Sequence, residues 1–152
     1  MSTSESDEQV PAARVRHAEV TLAPVDAATM AAAVADPRCG ALVTFDGVVR
    51  DHDEGRGVTR LEYTAHPGAG EEIAAVAAEV AARHPEVLLA LAHRHGPLAI
   101  GETALACAVA APHRKAAFAA CDDLVDTVKA RLPIWKHQHF TDGSDEWVGA
   151  LG

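Results

Sequence analysis

An α+β fold is the class this sequence predicts, and three observations lead to it. Stretches such as CGALVTFDGVVR (39–50) and VTRLEYTAH (58–66) are β-branched and apolar, which suits strands. Two alanine-rich segments, 67–84 and 113–131, carry apolar residues at helical spacing. The segments are joined partly by short turns, which suit antiparallel neighbours, and partly by helical crossovers. One mixed or antiparallel sheet system with about three helices packed on it accounts for both kinds of connection.

The chain has 152 residues, enough for one domain with a real core. Hydrophobic residues make up 49% but aromatics only 4%, so that core is built from Ala, Val and Leu. Residues 1–13 open with the polar, acidic MSTSESDEQV and read as a disordered tail; residues 14–152 read as a single domain. RVRHAEVTLA (14–23) is the first strand. DAATMAAAVAD follows as a helix with Asp26 as its N-cap. Residues 39–50 form a central strand. DHDEGRG (51–57) is a polar, glycine-containing loop, expected to be mobile. Residues 58–66 alternate and return as a strand. In PGAGEEIAAVAAEVAARH, Ile73, Val76, Ala77 and Val80 mark the buried stripe of a helix. EVLLALAHRHGPL and ETALACAVAAP form two strands joined at a turn around Gly101. The longest helix covers 113–131, with Phe118, Cys121, Leu124, Val125, Val128 and Leu132 as its apolar stripe. Pro133 ends it, because a residue before proline is pushed out of the α region. IWKHQHF is then a strand, and TDGSDEWV a turn with a short final strand.

The formal charge of −9 argues against nucleic acid as a partner. The longest strongly apolar run, VLLALA, is too short to cross a membrane. Cys39, Cys107 and Cys121 are odd in number and form no CxxC pair, which points to a reducing, cytoplasmic setting. The first residues lack the basic and apolar regions of a secretory signal.

Local charge departs from this acidic background. Five Lys/Arg face three Asp between His113 and His139. The chain has only three lysines, and two of them, Lys129 and Lys136, flank Pro133. Singly, Lys129 reads as a cation complementing a helix C-terminus and Lys136 as a guard on a strand edge. Together they point to a pair in which one desolvated lysine is base or nucleophile and the other holds an anion. His113 and Arg114 open the long helix, where free N–H groups favour anions; either they are ordinary exposed cations or they belong to an anion site. Sixteen residues of helix separate His113 from Lys129, roughly 24 Å at 1.5 Å per residue. A composite site across a homodimer interface would reconcile the two ends. The pairs His93/His95 and His137/His139 could each chelate a metal, but no carboxylate or cysteine sits at ligand spacing, so polar strand faces and no metal are expected. Cys121 reads as a small buried hydrophobe.

Several motifs in order, GALVTFDGVVRDH, HPG, HRHGPL, APHRKAAF and VKARLPIWKHQHF followed by EWV, resemble the catalytic (large) subunit family of molybdopterin synthase. The resemblance covers about residues 14–149, and K-x-R-x-P-x-W-K weighs most. It implies an α/β-hammerhead-type fold and a homodimer. Each subunit would bind a small ubiquitin-like sulfur carrier by its C-terminal Gly-Gly thiocarboxylate, giving a heterotetramer. It implies a sulfurtransferase of molybdenum cofactor biosynthesis that converts cyclic pyranopterin monophosphate to molybdopterin, without a cofactor or a cysteine of this chain. By position it makes Lys129 the principal catalytic residue and Lys136 its partner. Arg50, Val48, Val49, His113, Arg114, His137 and Gln138 become substrate contacts. Some members carry an arginine where this chain has Leu151, and many have a different charge pattern after the second lysine. The alternative is a non-catalytic dimeric module that captures a Gly-Gly tail or small anion; a metal-binding regulatory protein is a third reading.

Overall fold

The computed structural model describes residues 11–149. A 3-10 turn, Pro11–Arg14, leads into strand β1 (Val15–Thr21). Helix α1 (Ala27–Ala33), β2 (Ala41–Val48), β3 (His52–Asp53) and β4 (Arg56–Ala65) follow. Then come helix α2 (Ala69–Arg83), β5 (Leu88–Arg94), β6 (Gly96–Ala99) and β7 (Thr103–Ala111). Helix α3 (Arg114–Arg131), β8 (Ile134–Phe140) and β9 (Asp145–Val148) complete the order. The α+β class and the three helices match the expectation. The expected tail lies outside the described residues as far as residue 10, and from Pro11 onward it is replaced by the 3-10 turn.

The strands form two sheets. The larger has the order β1-β5-β7-β2, with β1 parallel to β5 and the other pairs antiparallel. The smaller runs β3-β4-β8-β9, with β6 also paired to β4. Every residue of β5 except Arg94 is buried, as a strand covered on both faces must be. Helices α2 and α3 cover one face, where Leu89, Leu91, Leu105, Cys107 and Val109 meet Ile73, Val76, Val80 and Leu124. Helix α1 covers the other, where Met30 and Val34 meet Ala90, Ala92, Ala106 and Ala108. Asp26 caps α1 by accepting from the Thr29 N–H at 2.7 Å, a bond worth about 1 kcal/mol at such positions.

Three local expectations change. The stretch 86–98 is not one strand: Gly96 has φ +94 and turns the chain from the larger sheet into the smaller. A side chain there would combine left-handed strain with a contact of 3.0 Å to Leu22. The 51–57 segment is a tight hairpin whose turn places Glu54 and Gly55 at φ 49 and 79, the geometry that two-residue hairpins favour. On α3 the inward residues are Ala117, Ala120, Cys121, Leu124 and Val128, while Phe118 is 62% exposed. The stripe keeps helical spacing but begins one residue earlier, on an alanine.

Polar contacts lock α2 to its surroundings. The buried Arg14 guanidinium donates to the carbonyls of Ala81, His84 and Val87 at 2.8, 3.0 and 3.1 Å, satisfying groups that a helix end leaves open. Asp123 of α3 accepts from Arg83 at 2.9 and 3.0 Å, and His84 lies 2.8 Å away. Arg131 pairs with Glu72 and Glu79. The hydrogen bond from Arg83 holds the Asp123 carboxyl down at about 2. Its stabilisation is therefore full above the unfolded carboxylate pKa near 3.9 and is lost as pH falls through about 2. Asp123→Ala should cost about 1 kcal/mol at pH 7, the upper range for a partly exposed network. The gap in melting temperature between the two proteins should close between pH 4 and 2, as read by circular dichroism.

Candidate active site

Pro133 shapes the site. Leu132 leaves the helix at φ −70, ψ 123, and its N–H still bonds to the Val128 carbonyl. The Pro133 carbonyl accepts from the His66 N–H at 3.0 Å, which lays the following residues beside β4. Along β8 the side chains then alternate. Ile134, Lys136, Gln138 and Phe140 share the inward face, and Trp135, His137 and His139 the outward one. Lys136 pairs with Tyr63 across the strands, so the two stand side by side.

A cavity of about 590 Å³ opens between the end of α3, the smaller sheet and the β2–β7 end of the larger sheet. That volume is in the range of small-molecule sites. Lys129 and Lys136 line it together with Arg50, Val48, Tyr63, His93 and apolar residues. The final strand closes one side with Val148 and Gly149. The two lysines converge on one space, as the sequence predicted. Lys136 is half-buried, but Lys129 is exposed at the rim, so the expected desolvation is absent from the single chain.

Asp53, brought in by the β3 hairpin, organises the cationic side. Its Oδ2 accepts from Gln138 Nε2 at 2.8 Å, and its Oδ1 lies 3.6 Å from Arg50. The Gln138 bond, then the charges of Lys136 and Arg50, hold the carboxyl below the usual carboxylate range. Gln138 is 2% exposed, so it braces Asp53 from beneath. Nothing in the sequence reading marked Asp53; only the hairpin register puts it here.

The other expected residues fall elsewhere. Val49 is buried with Leu61, Leu98 and Ala104 beneath the site. His137 faces outward, 2.6 Å from Asp145 and stacked 4.2 Å from Trp147. His113 is the extended N-cap residue of α3 and Arg114 its first residue; both are exposed at the end of the helix away from Lys129. Leu151 lies outside the described residues. The His137 and His139 rings lie 4.3 Å apart, but among the described residues no three His, Cys, Asp or Glu are arranged to hold a metal ion. His139 Nε2 is buried without a hydrogen bond, since Glu62 at 3.7 Å is too far to make one. Burial raises the thiol pKa of Cys107 and Cys121, which removes both as ready nucleophiles.

Tyr63 and His93 belong to the cavity and were not expected there. The signal was available: the row Leu89, Leu91, His93 keeps period two, so the polar residue ends a core-facing row. Burial pushes the His93 pKa down to about 4.

Comparison with known proteins gives a consistent result. Residues 20–131 match the model of one family, described as MoaE protein. A molybdopterin synthase catalytic subunit from Nostoc sp. is 38% identical over 131 residues, spanning 85% of this chain and 79% of that protein. One from Bacillus subtilis is 37% identical over 132 residues, spanning 86% and 83%. Among solved structures, molybdopterin synthase from Staphylococcus aureus superposes with a TM-score of 0.81 at 32% identity, covering 87% of this chain and 96% of that one.

The Asp53 network makes an ordered prediction. Gln138→Leu should raise the Asp53 titration midpoint more than Lys136→Met does, because the hydrogen bond outweighs the through-space charge. Carbon-13 NMR of the carboxyl reads both; equal shifts, or a larger one in the lysine variant, would contradict this account.

Proposed function

This chain belongs to the MoaE protein family, and we propose that it is the catalytic subunit of a molybdopterin synthase. In this reading it is a sulfurtransferase acting on cyclic pyranopterin monophosphate in the cytoplasm. The sulfur arrives as the C-terminal thiocarboxylate of a small ubiquitin-like carrier, whose Gly-Gly tail enters the cavity. Two such deliveries build the dithiolene and the cyclic phosphate opens. The observation that carries this reading is the convergence of Lys129 and Lys136, from either side of Pro133, on one cavity with Arg50.

Each residue has a role suited to its place. Arg50 and Lys136 hold the phosphate, the guanidinium by its planar fork and the ammonium as a point charge. Lys129, at the rim where the tail enters, either accepts protons during thiocarboxylate attack or forms a transient adduct. Borohydride cannot trap an amide-type adduct, so mass spectrometry of the quenched reaction separates these roles. The exposure of Lys129 fits a site completed by other chains: the carrier tail covers the rim and removes water. His113 and Arg114 sit about one helix length away, so they serve the neighbouring subunit's site in a homodimer, which with two carriers makes a heterotetramer.

Purified chain, thiocarboxylated carrier and cyclic pyranopterin monophosphate should yield molybdopterin. Lys129→Ala should lower single-turnover sulfur transfer at least about 100-fold, the usual scale for a proton-transfer group. Undiminished turnover in that variant would remove the assignment. Mixing Lys129→Ala chains with His113→Ala/Arg114→Ala chains should restore part of the activity; no rescue, with subunit exchange confirmed by mass spectrometry, would exclude the shared site.

A further inference from the structure

The cavity has two chemically different halves. Arg50, Lys129 and Lys136 supply only donors and positive charge. Among the described residues the remaining lining side chains are apolar except for two, Tyr63 and His93, and of the described lining these alone carry a side-chain hydrogen-bond acceptor.

The geometry fixes what each can offer. His93 Nδ1 lies 2.8 Å from the Arg94 carbonyl oxygen, which can only accept, so the proton sits on Nδ1 and Nε2 keeps its lone pair. That carbonyl is held in place because the Arg94 side chain is tied down: it donates to Glu102 at 2.8 Å and to the Leu22 carbonyl at 3.2 Å. The Tyr63 ring meets the imidazole edge-on, with centroids 5.1 Å apart, and steadies it. No hydrogen bond engages His93 Nε2 or the Tyr63 hydroxyl among the described residues, and neither is a sealed orphan as His139 Nε2 is. Both keep access to solvent, and the space beside both residues is this cavity. Burial keeps the imidazole neutral at ordinary pH, so it stays an acceptor even with three cations nearby.

We propose that Tyr63 and His93 form a subsite for the neutral, N–H-bearing heterocycle of the ligand, whose anionic end is held by Arg50 and Lys136. The inference rests on the substrate reading given above. A reduced pterin presents ring N–H groups and an exocyclic amine, all donors. Lysine and arginine cannot accept from them, and the carboxylate behind them, Asp53, does not line the cavity and is already engaged by Gln138 and Arg50, so a pterin placed wholly among the cations would leave those donors unpaired. His93 Nε2 accepts from a ring N–H, and the Tyr63 hydroxyl either accepts or donates beside it. The pair thereby sets the orientation: phosphate toward Arg50 and Lys136, ring toward β4 and β5.

The test measures binding to the full chain by calorimetry with three probes: inorganic phosphate, a reduced pterin without phosphate, and cyclic pyranopterin monophosphate. Tyr63→Phe removes only the hydroxyl. His93→Asn keeps a donor for the Arg94 carbonyl but has nothing at Nε2, whereas His93→Gln returns an amide oxygen near that position. Tyr63→Phe and His93→Asn should each weaken both pterins about tenfold while leaving phosphate within about twofold, and His93→Gln should recover most of the loss. Unchanged pterin affinity in both variants overturns the subsite, as does an equal loss for phosphate, which would mark a structural effect. If His93→Asn does not fold, Tyr63→Phe decides alone. Product formation by the wild type is assayed alongside. Product with normal pterin binding in the variants removes the subsite only; the expected binding pattern without product removes the reaction and keeps the subsite. A wild type that binds neither pterin overturns the subsite outright.

Discussion

Leu132 cannot stay helical because Pro133 follows it, and the rest of the site depends on that one steric exclusion. Had α3 run on by a further turn, Lys136 would sit on the same rod as Lys129. Instead the chain turns onto β4, and the register of β8 aims Lys136 inward beside Tyr63. The exclusion acts through backbone geometry, so it is insensitive to salt or pH. What depends on pH is the charge pattern laid on that frame, chiefly the depressed carboxyls of Asp53 and Asp123.

The larger sheet makes the corner rigid. Its helix-facing row of Leu89, Leu91, Leu105, Cys107 and Val109 is covered by α2 and α3, and removing a side chain such as Leu124 would cost about 2–5 kcal/mol. The end of that row is where covering stops. There Phe45, Gly47, Leu105 and His93 line open space on the side that no helix covers. The cavity is thus the place where a core face runs past the end of α3. The smaller sheet returns over it and supplies Tyr63 and Lys136.

Much of this was legible from the sequence because it follows from local rules. The Asp26 cap, the Ile73, Val76, Ala77 and Val80 stripe, and the break at Pro133 each need only a few neighbouring residues. What was not legible depends on pairing across long separations. Gly96 divides one apolar run between two sheets, and composition alone does not announce which glycine takes a positive φ. Phe118 drew the predicted stripe toward itself by size, whereas the helix packs through alanines that allow close approach. The lysine pair emerged because a proline fixed its geometry locally. Asp53, Tyr63 and His93 stayed hidden because strand register between distant segments brings them in.

The exposed rim carries a further consequence. Two unit charges 4 Å apart interact by about 1 kcal/mol in water and about 4 kcal/mol at the effective dielectric of a protein surface. Lys129 stands in the first regime and half-buried Lys136 nearer the second, so in the single chain the two are unequally suited to hold an anion. Covering the rim would move Lys129 toward the second regime without moving a single backbone atom. A lysine left in water at the rim gives a simple form of control: the electrostatics of the cavity reach full strength only when the rim is covered and solvent excluded. Tyr63 and His93 depend less on such cover, since burial already keeps the imidazole neutral while both residues still face the cavity, and a ligand can be oriented there before the rim is sealed.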